Sequence, residues 1–343
     1  SRCWASSSSA SADFRARLMS HAARPCGVAG LRSRPVARSG NLPRLLAHLL
    51  PLLGIPACQP DSDRLAPVLP EARFEVSKVG IPAEAGPTLD EAFSRWARFI
   101  STPVPIRARV TFVDGGPAGY AIPNVIRNFD RAPIMDTWFP SALADAISGR
   151  DLQPEELDFE LFFRRDRDWK FEIAGDPAPG QADFLTVAMH EIAHGLGMAS
   201  WVFAEESVGY YGREIPSIDF FPSSIELPDL AGVPMVFVRM IEDLEGHRLT
   251  DTSRFANPSR ELGNLLKRDQ IFFAGSAARE ANGGRPPRLY GASPSHLHPD
   301  DYFWTGPDFL MTPTSGTGIS TPDPGPIVLG ILQDIGWRVS RNP

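Results

Sequence analysis

His190 and His194 stand four residues apart, with Glu191 directly after the first, inside the run Asp183 to Met198 (DFLTVAMHEIAHGLGM). On a helix of 3.6 residues per turn, this spacing projects both imidazoles from one face toward a common point, where two ring nitrogens can share one metal ion. A carboxylate beside the first ligand is placed to reach a water on that ion rather than the ion itself, and to take its proton as general base. The competing reading is two hydrogen-bonded structural histidines. Against it stands the company they keep: Leu185, Val187, Met189, Ile192, Ala193 and Leu196 offer no polar partners, and burying two imidazoles and a carboxylate unpaired is strongly unfavourable. A zinc ion removes that difficulty.

Catalytic zinc takes three protein ligands and leaves a position for water. In the extended pattern HExxHxxGxxH, Gly197 fits the turn but the last place is Ser200, which is not a usual ligand. The third ligand is therefore distant, and its candidates are His247, His296, His298, Asp219 and Glu205 or Glu206.

These residues need elements to hold them. Residues 72–81 (ARFEVSKVGI) alternate as a strand, and Thr88, as a cap, opens a helical pattern through Ala92, Phe93, Trp96 and Ile100. PIRARVTFVD places Ile106, Ala108, Val110 and Phe112 on one face of a second strand. A helix is expected over Pro140 to Ile147. Two more strands, Asp158 to Phe163 and Trp169 to Ile173, flank a charged turn. The metal helix follows, ending where Gly195 and Gly197 allow positive φ. Strands leading into a buried helix predict an α+β layer of sheet on helix.

Composition fits this picture. The chain has 343 residues, 43% hydrophobic and 22% charged, with 34 prolines and 29 glycines scattered without repeats, so long irregular connections are expected. Eight arginines and one acid give residues 1–58 a net +7, which leaves −14 for the remainder of a chain whose formal charge is −7. An acidic body without a basic cluster excludes nucleic acid as a partner. All three cysteines (3, 26 and 58) lie in the basic segment. Nitrogen and oxygen must therefore hold any metal in the body.

Arg38 and Arg44 precede the apolar stretch Leu45 to Ala57, which is too short for a mature membrane span and is built as a secretory signal. Ile55-Pro56-Ala57-Cys58 resembles a bacterial lipoprotein cleavage box, with Cys58 as the lipidated residue; an ordinary signal cut nearby is the alternative. Residues 1–58 are expected to be a leader, with Met19 a candidate start, and residues 59–85 a linker or short pro-like segment. The chain is thus expected outside the cell or attached to its envelope, meeting a membrane only through a lipid anchor at Cys58.

Ser295-His296-Leu297 followed by Leu310-Met311-Thr312-Pro313 resembles leishmanolysin-type metallopeptidases of the metzincin clan. The stretches DFLTVAMHEIAHGLGM, PPRLYGASPSH and PGPIVLGILQDIGW are closer still to exported bacterial relatives, and the resemblance runs from about Pro105 to Trp337 in the family's order. It implies His190, His194 and His296 as zinc ligands, Glu191 as base, Gly197 in the turn and Met311 in the methionine turn beneath the metal. It further implies a metzincin-like fold over residues 86–343, with a mixed sheet and active-site helix in an upper half to about 197 and a loop-rich lower half over about 198–337. The activity implied is hydrolysis of protein or peptide substrates.

The chain departs from the pattern in three places: Met198 stands where phenylalanine is common, the YGASPS segment is short, and His298 stands where an acidic residue is expected. His298 is therefore an alternative third ligand. Tyr302 has two readings, oxyanion partner or packing residue. Asp219 and His247 read as turn and surface residues. The rival function is a non-catalytic cell-surface binding module retaining a structural zinc, which four closed ligands would favour; a deacetylase is a third reading.

Overall fold

The alternation in residues 106–113 becomes a real strand whose buried residues are Ile106, Ala108, Val110 and Phe112. It lies in a four-stranded sheet made of β1 (Phe74–Val79), β2 (Ile106–Val113), β3 (Gly119–Pro123) and β4 (Phe159–Arg164), in the order β1-β2-β4-β3. The first three in that order run parallel, with Val76 opposite Ala108 and Val110 opposite Leu161. The terminal strand β3 runs antiparallel to β4, with Ala121 opposite Leu161. This computed structural model describes residues 70–213, 230–302, 306–313 and 317–340. The leader, with Cys3, Cys26 and Cys58, and also Asp219 lie outside the described residues. Strand β1 falls within the stretch expected to be linker, so the folded body begins before residue 86.

Parallel β1 and β2 need a crossover, and helix α1 (Ala85–Phe99) supplies it, burying Leu89, Phe93 and Trp96. Thr88 does not cap this helix. The helix starts three residues earlier, and the Thr88 hydroxyl, inside the first turn, donates to the Phe171 carbonyl instead. Helix α2 (Ser141–Ser148) begins directly after Pro140, whose fixed φ suits a helix entry. The expected strand at Trp169 to Ile173 shortens to Trp169–Lys170 and pairs with Ala182–Asp183 rather than with β4. Both edges of β4 are already taken by β2 and β3.

The metal-motif helix α3 (Phe184–Gly195) is held at three points. At its start the buried Asp183 accepts the Thr186 amide at 3.1 Å and hydroxyl at 2.6 Å, the Ser320 hydroxyl at 2.9 Å and the Lys170 ammonium at 3.3 Å. Such pairing is what a buried carboxylate requires. In its middle the Trp96 indole donates to the Met189 carbonyl at 3.0 Å. At its end the amides of Gly197 and Met198 bond back to the carbonyls of His194 and Ala193, and the Trp337 indole takes the Leu196 carbonyl at 2.7 Å. These two backbone bonds form a Schellman closure. Gly197 carries its positive φ of 124°, whereas Gly195 is helical and needs its missing side chain for another reason: a Cβ there would lie 2.7 Å from the Phe159 ring on β4. Only one of the two glycines therefore makes the turn.

Beyond residue 198 the chain is loop-rich. It carries the hairpin Val202–Glu205 with Val208–Tyr211, helix α4 (Arg260–Lys267), helix α5 (Ser276–Ala281) and a small antiparallel sheet of Ile241–Glu242, Ile271–Phe273 and Arg288–Leu289. Helix α6 (Pro326–Ile335) packs on α5, and Arg338–Val339 then pairs with Ile100–Ser101 at the end of α1. The described residues thus form a mixed α/β structure of several small sheets and helices, compatible with the expected α+β class. None of their helices is long and apolar enough to cross a membrane.

Candidate metal centre

The Nε2 atoms of His190, His194 and His296 form a nearly equilateral triangle: 3.0 Å between His194 and His190, and 3.2 Å from each of these to His296. Each ring is oriented through its other nitrogen. His190 Nδ1 donates to the Leu310 carbonyl at 2.6 Å and His194 Nδ1 to the Met198 carbonyl at 2.6 Å, while His296 Nδ1 meets the Ser293 hydroxyl at 2.8 Å and carbonyl at 3.2 Å. A carbonyl can only accept, so Nδ1 of His190 and His194 carries the ring proton and Nε2 presents a lone pair. Burial pushes His190 down to about 4, burial and then the neighbouring His190 push His194 down to about 3, and burial, then His194 and His190, hold His296 well below its ordinary value. All three rings are therefore neutral near pH 7.

Three lone pairs converging on one point repel each other unless a cation stands between them. Nitrogens bound at about 2.0–2.1 Å to one ion are themselves roughly 3 Å apart, the spacing found here. The donor set of three imidazoles, each backed by an acceptor on its far nitrogen, suits a first-row ion such as zinc.

The three rings are half-buried and open on a cavity of about 390 Å³, bordered by Pro117 and Gly119 beside β3, Val187 on α3, and Trp201, Ser295 and Pro313 from the lower half. Glu191 lines the same cavity. Its side chain is almost wholly buried, burial pushes its carboxyl up to about 8, and Oε2 has no hydrogen-bond partner among the described residues. Unsatisfied buried polar atoms are rare and call for an explanation; the place of Glu191 in the cavity wall supplies one.

His296 reaches the triangle because its loop is fastened on two sides. Ser200, at the place of the last histidine in the extended motif, offers its amide at 2.9 Å and its hydroxyl at 3.0 Å to Ser295 Oγ. On the other side the Leu297 amide donates to the Met311 carbonyl at 2.8 Å. Met311 is fully buried in the short 3-10 helix Pro307–Met311, and its neighbour Leu310 supplies the carbonyl to His190.

Comparison with protein-family models, curated proteins and solved structures finds no match.

The other candidate ligands lie elsewhere. His298 is buried outside the triangle, where Nδ1 accepts the Asp300 amide at 3.2 Å and Nε2 faces Asp269 at 3.8 Å. His247 folds onto Asp243, which accepts its ring at 3.1 Å, in a local loop closure. Glu205 accepts the Tyr210 hydroxyl at 3.1 Å, and Glu206 sits in the hairpin turn. Tyr302 lines a separate groove with Glu242 and Arg279, so it is not among the residues bordering the imidazoles.

Sequence reasoning passed over Gly119, Ser293 and Ser295. The two serines stand in a stretch that carried the resemblance, so a signal was there to read; Gly119 gave none.

Proposed function

We propose that the chain is a zinc-dependent endopeptidase of metzincin-like architecture. The observation that carries this reading is the triangle of three neutral imidazole nitrogens, each oriented by an acceptor on its far side, opening beside the unpaired carboxylate of Glu191. His190, His194 and His296 would hold the ion, leaving a coordination position toward the cleft. When bound, zinc supplies Lewis acidity toward a scissile carbonyl and a water. Glu191 accepts the proton of that water and passes it to the leaving amine. The cleft lies beside β3, the terminal strand of the sheet, and such a strand offers main-chain partners to an extended peptide.

Three ligands rather than four favour catalysis over a closed structural site, and the position of His298 away from the triangle leaves the binding-module reading without a fourth ligand among the described residues. Export through the basic and apolar leader, with a lipid anchor at Cys58, belongs to the same proposal.

The test is hydrolysis of unfolded casein. Activity is expected to stop on treatment with a zinc chelator and to return with one equivalent of zinc; a zinc-loaded chain that leaves casein intact contradicts the reading.

A further inference from the structure

Glycine at position 119 is unexplained by the backbone. Gly119 is a strand residue paired with Phe163 across β3 and β4, and its φ is not among the positive ones. Any L-residue adopts that conformation, and strand interiors disfavour glycine for its entropy and lack of packing. What the position does require is space. A Cβ built there would lie 2.8 Å from Oε1 of Glu191, 2.9 Å from its Cγ and 3.1 Å from its carboxyl carbon.

The neighbour cannot step back. Glu191 lies in the middle of α3, with Ile192 and Ala193 fully buried beside it and the helix fixed at Asp183, Met189 and Leu196. Rotation of the glutamate side chain would relieve the contact, and it would move the carboxylate from its present place in the cavity wall.

We propose that Gly119 is a positioning residue for Glu191: the absent side chain on the terminal strand is the space in which the carboxylate stands beside the three imidazoles. Strand and helix thus meet here with no room for a Cβ beside the Glu191 side chain, and that close fit positions the base. A base held by shape alone leaves Oε2 without a competing partner among the described residues. The inference rests on the peptidase reading for its kinetic part and on the contact alone for its structural part.

The experiment is a double-mutant cycle in the full chain: wild type, Gly119→Ala, Glu191→Ala and the double variant. Zinc content, melting temperature of the zinc-free protein and kcat and KM on a peptide substrate are measured. Gly119→Ala is expected to keep one equivalent of zinc and an unchanged KM, and to lose about 100-fold in kcat, the scale of a displacement near 1 Å at a reacting group. Overpacking is expected to lower its melting temperature by about 5 °C. In the Glu191→Ala background, where the colliding side chain is gone, the same substitution is expected to cost nothing. A wild-type kcat in Gly119→Ala overturns the positioning role, and equal melting losses in both backgrounds overturn the contact. If zinc-loaded wild type cleaves no peptide, the peptidase reading and the catalytic role fall together, while the melting cycle still decides whether the two residues collide.

Discussion

Ser200 and Ser295, 95 residues apart in the chain, are joined twice, since one hydroxyl oxygen of Ser295 meets both the amide and the hydroxyl of Ser200. The turn that ends α3 is thereby tied to the residue before His296. Two imidazoles of the triangle come from the helix, and this clamp brings the third.

Ser295→Ala leaves the buried Ser200 amide without its acceptor. A lost partner of this kind costs about 1–3 kcal/mol, so the melting temperature is expected to fall by several degrees and zinc to dissociate faster. Ser295→Thr, which keeps the hydroxyl, is expected to fall by less. Calorimetry and release of zinc to a chromogenic chelator check both, and an alanine variant that melts and releases zinc like wild type contradicts the clamp.

Ser293 acts directly on the third imidazole, its hydroxyl lying 2.8 Å from His296 Nδ1. Removing such an outer partner costs about 10–100-fold in metal affinity. Because the Ser293 carbonyl at 3.2 Å remains as a substitute acceptor, Ser293→Ala is expected near the lower end, about tenfold. Competition titration of zinc against a chelator of known affinity measures it.

The resemblance and the helix spacing between them made much of this site legible. His190, Glu191 and His194 follow from spacing alone, because helical periodicity is local. His296 does not: 102 residues separate it from His194, and no short-range rule distinguishes it from His298, two places further on. Only the resemblance favoured it, and the structure brings its Nε2 within 3.2 Å of those of His190 and His194. Thr88 shows the opposite failure, a good capping residue whose hydroxyl found a tertiary acceptor, so the helix started earlier. The strand expected over Trp169 to Ile173 shortens to Trp169–Lys170 and pairs with Ala182–Asp183, because pairing depends on which edges remain open, a property of the whole sheet. Gly119 was invisible for the same reason, since its meaning arises only where β3 passes α3.

Asp158, buried with its Oδ2 accepting the Arg107 amide at 2.7 Å, carries a second measurable consequence. Burial and then the nearby Asp145 push it up to about 7, against the opposing Arg107 amide and charge. A carboxyl raised in the folded state above its unfolded value contributes stability that is present below about pH 4 and lost as pH rises through about 7, on the order of 4 kcal/mol in all. Asp158→Asn keeps an acceptor oxygen and removes the titration. Its stability relative to wild type is expected to rise between pH 4 and 7.5, as read from urea unfolding at each pH; parallel pH profiles for the two proteins contradict the assignment.

The central claim, that three histidines hold an ion which Glu191 turns to peptide hydrolysis, is tested most directly by zinc content and casein hydrolysis measured side by side in wild type, Glu191→Ala, His296→Ala and His298→Ala. One equivalent of zinc is expected in wild type, Glu191→Ala and His298→Ala. Hydrolysis is expected to fall by several orders of magnitude in Glu191→Ala, and zinc to be held loosely only in His296→Ala. Tight zinc in His296→Ala, or undiminished hydrolysis in Glu191→Ala, would contradict the account.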